Sequence, residues 1–351
     1  MTNILIDPAV VVIPPQNASR NDVEAWLENL DLWLTEALSA PFTWLYAEEA
    51  TEALLNEGHY PEFLFSWQKR YHLDINIAQV IAKVGQFFNG EHEHDLAFCL
   101  GQLGYVLVAE PGSIVILPAH FASRWPELIR DYMHELLATT CACKHNDDSL
   151  GQKMHIATLV LENGTKEIEV SAVIADMLPE SFPCPADSKI AQTFPLLFTP
   201  EELLPLYNVV ECWDKGDKGI RYAIKQQYRR DWQSISPEPL HYEFGTRFIE
   251  SVMNRKDMTD LMLSRITRTM GGVIADRPES LQYKPHWVRE REESHTPQLI
   301  RARDKATAWR ITITPDGAGW RMHYWRKVDS DGNVIIEFSN VLTKKDQVVI
   351  Y

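Results

Sequence analysis

The chain contains no Gly-x-Gly-x-x-Gly, no Gly-Lys-Ser/Thr phosphate loop and no Gly-x-Ser-x-Gly. A bound dinucleotide, a P-loop nucleotide and a serine nucleophile on an elbow therefore have no support. Cysteine is sparse and odd in number, at Cys99, Cys141, Cys143, Cys184 and Cys212. That set argues for reduced thiols over a disulfide framework. No apolar run reaches the roughly 18 residues of a membrane span, and the start MTNILIDPAV has neither a basic n-region nor a cleavage site. The expectation is a cytoplasmic protein with no membrane partner. Internal repeats and low-complexity segments are also lacking. What is present, 45% hydrophobic and 24% charged residues with 10% aromatics over 351 positions, excludes wholesale disorder and is long enough for two or three domains.

Positive charge is short overall, with 34 Lys and Arg against 49 Asp and Glu and a net charge of −15. The shortage is uneven. Residues 1–210 hold 10 Lys and Arg against 29 Asp and Glu, net −19, whereas residues 211–351 hold 24 against 20, net +4. Such asymmetry between halves points to nucleic-acid binding or to docking of a partner.

Along the chain, Asn3 to Asp7 and Val10 to Ile13 have the apolar, β-branched character of buried strands, stopped by Pro14-Pro15. Asn21-Asp22 is expected to cap a helix carrying Val23, Trp26, Leu27, Leu30, Leu32, Trp33 and Leu34. Phe42 to Tyr46 reads as a second strand and Ala47 to Asn56 as a helix closed by Gly58. Helices are expected near 75–88 and 123–140, with a strand at Ile114 to Leu117 between them. The polar run from Lys144 to Ser149 opens a helical spacing of Leu150, Met154, Ala157 and Leu161, and EIEVSAVIA from Glu167 is a strand ending in Asp176. Thr199-Pro200-Glu201-Glu202 begins a further helix. This alternation over 1–207 predicts an α/β domain with a parallel sheet and helices on both faces. Residues 208–351 form a basic α+β domain, with helices near 242–254 and 257–270. From about 290 it becomes an antiparallel meander punctuated by Pro315-Asp316-Gly317 and Asp331-Gly332-Asn333.

Four acids fall at expected strand ends or adjoining helix starts: Asp7, Glu52, Asp148 and Asp176. Ligands of open α/β sheets bind outside the carboxyl ends of the strands, so these groups can converge. Converging carboxylates suit a hard cation, Mg²⁺ or Mn²⁺, which can generate a hydroxide and assist displacement at phosphorus. Asp7 and Asp176 are the expected metal ligands, with Glu52 and Asp148 completing the catalytic set. Cys141-Ala142-Cys143-Lys144-His145 and His92-Glu93-His94-Asp95 also carry ligand types. Their spacing lacks a second ligand pair, and they read as a structural cysteine pair and a solvated loop.

Ile4-Leu5-Ile6-Asp7, Tyr46 to Leu54 with Glu52, Asp148 opening a helix, Val173-Ile174-Ala175-Asp176 and Thr199 to Leu204 together resemble the PIN-like nuclease family over roughly residues 1–207. The resemblance implies a metal-dependent ribonuclease, of the kind found in toxin–antitoxin or antiviral-defence settings. The alternative is a non-catalytic PIN-like scaffold or interaction subunit of a larger assembly.

The carboxyl-terminal segment adds a second candidate surface. Arg301, Arg303, Lys305, Arg310, Arg321, Arg326 and Lys327 interleave with Trp309, Trp320, His323, Tyr324 and Trp325. Cations beside stacking rings suit a single strand, RNA before DNA, while the competing reading is ordinary packing of a small meander. Strand alternation places Trp320, Met322 and Tyr324 on one face and Arg321, His323 and Trp325 on the other. Ala308-Trp309-Arg310 to Lys327 is also slightly similar to RelE-like ribonuclease toxins. A protein partner or inhibitor is the other expected ligand.

Overall fold

The computed structural model describes residues 2–15, 17–59, 61, 71–73, 76–88, 94–110, 112–161, 164–178, 188–277, 281–289, 297–314 and 319–344, with the side chains of 107–108 and 176–178 left out. The chain divides into two compact units, Met1–Leu206 and Tyr207–Tyr351. The architecture is mixed α/β, with two mixed sheets.

In the first unit, β1 (Asn3–Ile6) is buried along its whole length, as its unbroken apolar run requires of a central parallel strand. It pairs in parallel with β2 (Thr43–Leu45) on one side and β5 (Met154–Ala157) on the other. Beyond β5 lies β7 (Lys189–Leu197), also parallel. β6 (Glu167–Leu178) then runs antiparallel to β7 and carries β3 (Val106–Ala109) and β4 (Val115–Leu117) antiparallel on its far edge. The expected parallel sheet is thus parallel only through β2-β1-β5-β7. Past β2, Tyr46 forms one further parallel bridge to Asp95. The chain therefore leaves β1 toward β2 and later returns on its other flank at β5, which puts the reversal of strand order between β1 and β5.

Helix α1 (Arg20–Ser39) starts from a reciprocal cap at Ser19: its hydroxyl accepts from Asp22 N, and the Asp22 carboxylate accepts from Ser19 N, each at 3.2 Å. The cap is two residues earlier than Asn21, because only a Ser three residues before an acid can satisfy two free amides at once. The helix buries Val23, Trp26, Leu27, Leu30, Trp33 and Leu34. α2 (Glu48–Asn56), α3 (Ile77–Phe88), α4 (Leu96–Gln102) and α5 (Glu127–His145) follow. Two local readings are corrected. Val10 lies in a 3-10 turn, Pro8–Val10, capped by Asp7, where a strand was expected. The helical spacing after Asp148 yields only α6 (Ser149–Gln152) before β5 begins at Met154. Gly151 sits so close to α5 that a Cβ there would strike the Lys144 backbone, and Met154–Ala157 gains more by filling the gap between β1 and β7.

The second unit has a five-stranded sheet in the order β8-β12-β11-β10-β9. These are β8 (His241–Phe244), β9 (His286–Trp287), β10 (Thr307–Thr312), β11 (Arg321–Val328) and β12 (Val334–Leu342). Its helices are α7 (Val209–Asp214), α8 (Gly216–Asp231), α9 (Phe248–Met253) and α10 (Asp260–Ile274). Residues 242–244, expected in a helix, belong to β8 because Tyr242 and Phe244 alternate inward against β12. The inner face of the sheet, with Met322, Tyr324, Ile336, Phe338 and Val341, packs into one core with Ile220, Ile224, Phe248, Ile266 and Met270. Each such side chain contributes about 1.5–3 kcal/mol on burial. The β11–β12 turn follows the expected Asp-Gly-Asn signal: Gly332 takes φ +86°, and Asp329 accepts from the backbone of Asp331 and Asn333. Pro315-Asp316-Gly317 lies outside the described residues.

Candidate functional site

Asp7 stands at the carboxyl end of β1, at the strand-order reversal where open α/β sheets place their ligands. Its side chain is fully buried and its acceptor positions are taken. Oδ1 accepts from Trp125 Nε1 at 2.6 Å and from Ala9 N at 3.0 Å. Oδ2 accepts from Arg124 Nη2 at 2.9 Å and from the Thr158 hydroxyl, which comes off the end of β5. Arg124 is fixed in turn: Nη1 donates to Leu159 O (3.1 Å), Nε donates to Phe121 O (3.2 Å), and the guanidinium lies over the Phe121 ring. A carboxylate accepting four donors has no lone pair directed outward. The guanidinium already supplies the positive charge that a cation would bring.

The other three acids do not join it. Asp148 caps α6 by accepting from Leu150 N at 2.9 Å. That places it before the amino end of β5, and Asn3 at the start of β1 donates to Leu150 O. It is therefore at the sheet edge opposite Asp7. Asp176 is inside β6, paired with Val108, and does not end the strand. Because β6 runs antiparallel to β7 with Glu167 opposite Pro195 and Val173 opposite Lys189, Asp176 lies beyond the amino end of β7. From Glu167 it is roughly 30 Å along the strand at about 3.3 Å per residue. Its side chain lies outside the described residues. Glu52 is exposed on α2. There it joins Glu48 and Asp95 in raising the Tyr46 hydroxyl, after burial as the main cause. The sequence predicts a parallel sheet throughout, and the antiparallel run of β6 sends Asp176 to the other edge.

Asp95 is not a solvated loop residue. It is buried, accepts from Glu48 N at 3.0 Å and Phe98 N at 2.9 Å, and so ties α2 to α4. His94 shares its Nδ1 with Trp44 O at 2.9 Å, whereas His92 and Glu93 lie outside the described residues. Cys141 and Cys143 are buried in α5, and burial pushes both thiols up to about 12, as expected of packing residues.

In the second unit the alternation on β11 is as expected. Met322 and Tyr324 enter the core, and Arg321, His323 and Trp325 face the other way, the outer face. The basic residues divide into two groups. Arg301 is 5% exposed and forks to Glu337 (2.6 and 2.7 Å) and Asp304 (2.6 and 2.9 Å) while covering the Trp325 ring at 4.8 Å. Trp325 is itself fully buried with Ala306 and Ala308. Neither residue is presented to a strand of nucleic acid, which corrects that expectation. Arg326 pairs with Asp276 at 2.8 Å and Lys327 with Glu243 at 3.1 Å. Arg303 reaches Glu337 at 3.7 Å from an exposed position.

Arg310 and Arg321 form the other group. Both are half-buried on the outer face, and neither meets a carboxylate among the described residues. Burial, then the charges of Arg321 and Arg289, hold the Arg310 guanidinium below its ordinary range. Register puts His286, Arg310, His323 and Asn340 side by side across four strands, with Arg321 two residues from His323. A bulge at His323/Tyr324, where β12 carries the additional Ser339, restores Asn340 to this face. His323 Nδ1 meets Asn340 Oδ1 at 2.9 Å. Burial, followed by the two arginines, lowers this imidazole to about 4. The sequence reading placed His323 on this face without singling it out and missed His286 and Asn340, since only cross-strand register brings the three together.

Comparison with family models, curated proteins and solved structures finds no match. No helix among the described residues is long and apolar enough to cross a membrane.

Proposed function

We propose that the chain is a nucleic-acid-binding protein, with RNA before DNA as its ligand. In this reading the second unit grips phosphates on the outer face of its sheet, and the first unit serves as an α/β scaffold. The observation that carries this is the Arg310–Arg321 pair. Two guanidiniums on one face of the sheet, neither meeting an acid among the described residues, in a chain with an excess of 15 negative charges, repel each other. An arriving phosphate offsets that repulsion. The ion pairs of Arg301, Arg326 and Lys327 leave those residues as framework.

Metal-dependent hydrolysis has less behind it. The lone pairs of Asp7 are engaged by Arg124, Trp125, Thr158 and Ala9, and Asp148 and Asp176 are placed toward the other sheet edge. These residues do not fit one Mg²⁺ or Mn²⁺ shell, whose ligands must each come within roughly 2.0–2.6 Å of the ion.

Fluorescence anisotropy of single-stranded RNA over a salt series tests the reading. Replacing Arg310 and Arg321 with Gln should weaken binding and flatten the log–log salt slope by roughly 1 to 1.5, at about 0.7 per phosphate contact. Arg326→Gln should leave the slope unchanged. An equal slope in the double variant would refute the assignment. Cleavage that requires Mn²⁺ and is lost with a chelator would restore the hydrolase.

A further inference from the structure

The row His286–Arg310–His323–Asn340 differs from a flat basic stripe in having a floor. His323 is 4% exposed and Asn340 is fully buried. Asn340 Oδ1 is engaged by the His323 ring, while its Nδ2 has no acceptor among the described residues. A buried amide N–H without a partner costs about 1–3 kcal/mol, and a donor kept in that state next to His323, in a row bordered by two guanidiniums that meet no acid among the described residues, points to a polar ligand on this face. Neighbouring strands are about 4.8 Å apart and diagonal neighbours on one face about 7–8 Å. Arg310 and Arg321 are therefore spaced to flank one small group above His323.

We infer that this row is a seat for a terminal phosphomonoester, the phosphorylated end of a nucleic-acid strand. The inference rests on the proposed strand-binding function and specifies its ligand. The charge favours an end over an internal linkage. A phosphomonoester carries about −1.5 to −2 charges at neutral pH and three free oxygens, which matches two cations, whereas an internal diester carries a single charge. Arg310 and Arg321 hold the dianion, the buried Asn340 amide backs His323 beneath it, and exposed His286 closes the β9 side.

The test uses the full chain and three ten-nucleotide RNAs of one sequence, carrying a 5′-phosphate, a 3′-phosphate or hydroxyls at both ends. Inorganic phosphate serves as competitor. At least one phosphorylated end should bind ten-fold or more tighter than the hydroxyl-ended strand, and millimolar inorganic phosphate should remove the difference while leaving hydroxyl-ended binding in place. Asn340→Leu, which fills the floor and removes the donor, should reduce the preference to within about two-fold. Equal affinity of all three strands for the unaltered protein would overturn this inference and leave strand binding standing. Binding of inorganic phosphate with no binding of any strand would overturn both, making the seat one for free phosphate. Because the comparison among strands uses unaltered protein, a poorly folding variant does not decide it.

Discussion

The Asp7–Arg124 pair gives the sharpest prediction, because a metal ligand and a structural anchor answer oppositely to the same substitution. Asp7→Asn keeps the shape and keeps one oxygen for Trp125 Nε1 and Ala9 N. It turns an NH₂ toward Arg124 Nη2 and the Thr158 hydroxyl, both donors in the present arrangement. Thr158 can rotate its proton away, but Arg124 cannot. Breaking a buried ion pair from one side costs about 3–5 kcal/mol. Because the Arg124 side chain is 21% exposed and keeps its bonds to Leu159 O and Phe121 O, the Asn variant should fall near the lower end, about 2–4 kcal/mol. Arg124→Gln leaves the carboxylate buried among neutral donors and should cost about 3–5 kcal/mol. The double variant removes both charges, and its cost should fall short of the sum by at least about 2 kcal/mol. Urea unfolding gives the three values, and hydrogen exchange of the β1 and β5 amides shows whether the loss is local. If Asp7→Asn stays within about 0.5 kcal/mol of the parent, or the two single costs simply add, the anchor is wrong and the metal-ligand role of Asp7 regains its place.

Three further outcomes follow from the second unit and the thiols. The folded imidazole of His323 is lowered to about 4 from 6.5, so the unfolded chain binds the proton between those values. Stability from this group is full above pH 6.5 and falls by up to about 3 kcal/mol toward pH 4; His323→Gln should flatten that portion of a urea-midpoint profile, and an unchanged slope would refute it. Arg301→Met should lower stability by about 3–5 kcal/mol by stranding Glu337 while leaving the RNA salt slope unaltered, and a changed slope would return Arg301 to the binding surface. Cys141, Cys143 and Cys212, buried and pushed up to about 12, should resist iodoacetamide at pH 8 until the chain unfolds, whereas half-buried Cys99 reacts in the native protein; prompt labelling of all four would contradict their burial.

Local patterns carried a good part of the fold. Runs such as NILI, TWL and EIEVSAVIA announce strands because β-branched and apolar side chains suit a pleated, two-sided burial, and Asp-Gly-Asn marks its turn through the positive φ of Gly332. Strand direction stayed hidden. Nothing within Glu167–Leu178 distinguishes a strand parallel to β7 from one antiparallel to it, yet that choice sends Asp176 to the edge away from Asp7. A strand-end motif can therefore be read correctly as a strand and still mislead about a site.

Arg124 shows what a different reading of the same sequence would have caught. Residues 1–210 hold only 10 Lys and Arg, and one of them lies in Phe121-Ala122-Ser123-Arg124-Trp125, where no solvated charge is expected. A lone cation among aromatics in an acidic half is more informative than any of its many acids, because burying it costs several kcal/mol unless a carboxylate meets it. The partner had to be an acid that was itself buried, and Asp7, at the end of the most apolar strand, was the best placed. The same reasoning runs in reverse on the outer face of β10 and β11. There Arg310 and Arg321 are half-buried and no acid among the described residues comes to meet them, and that is the observation behind the phosphate proposed to reach them.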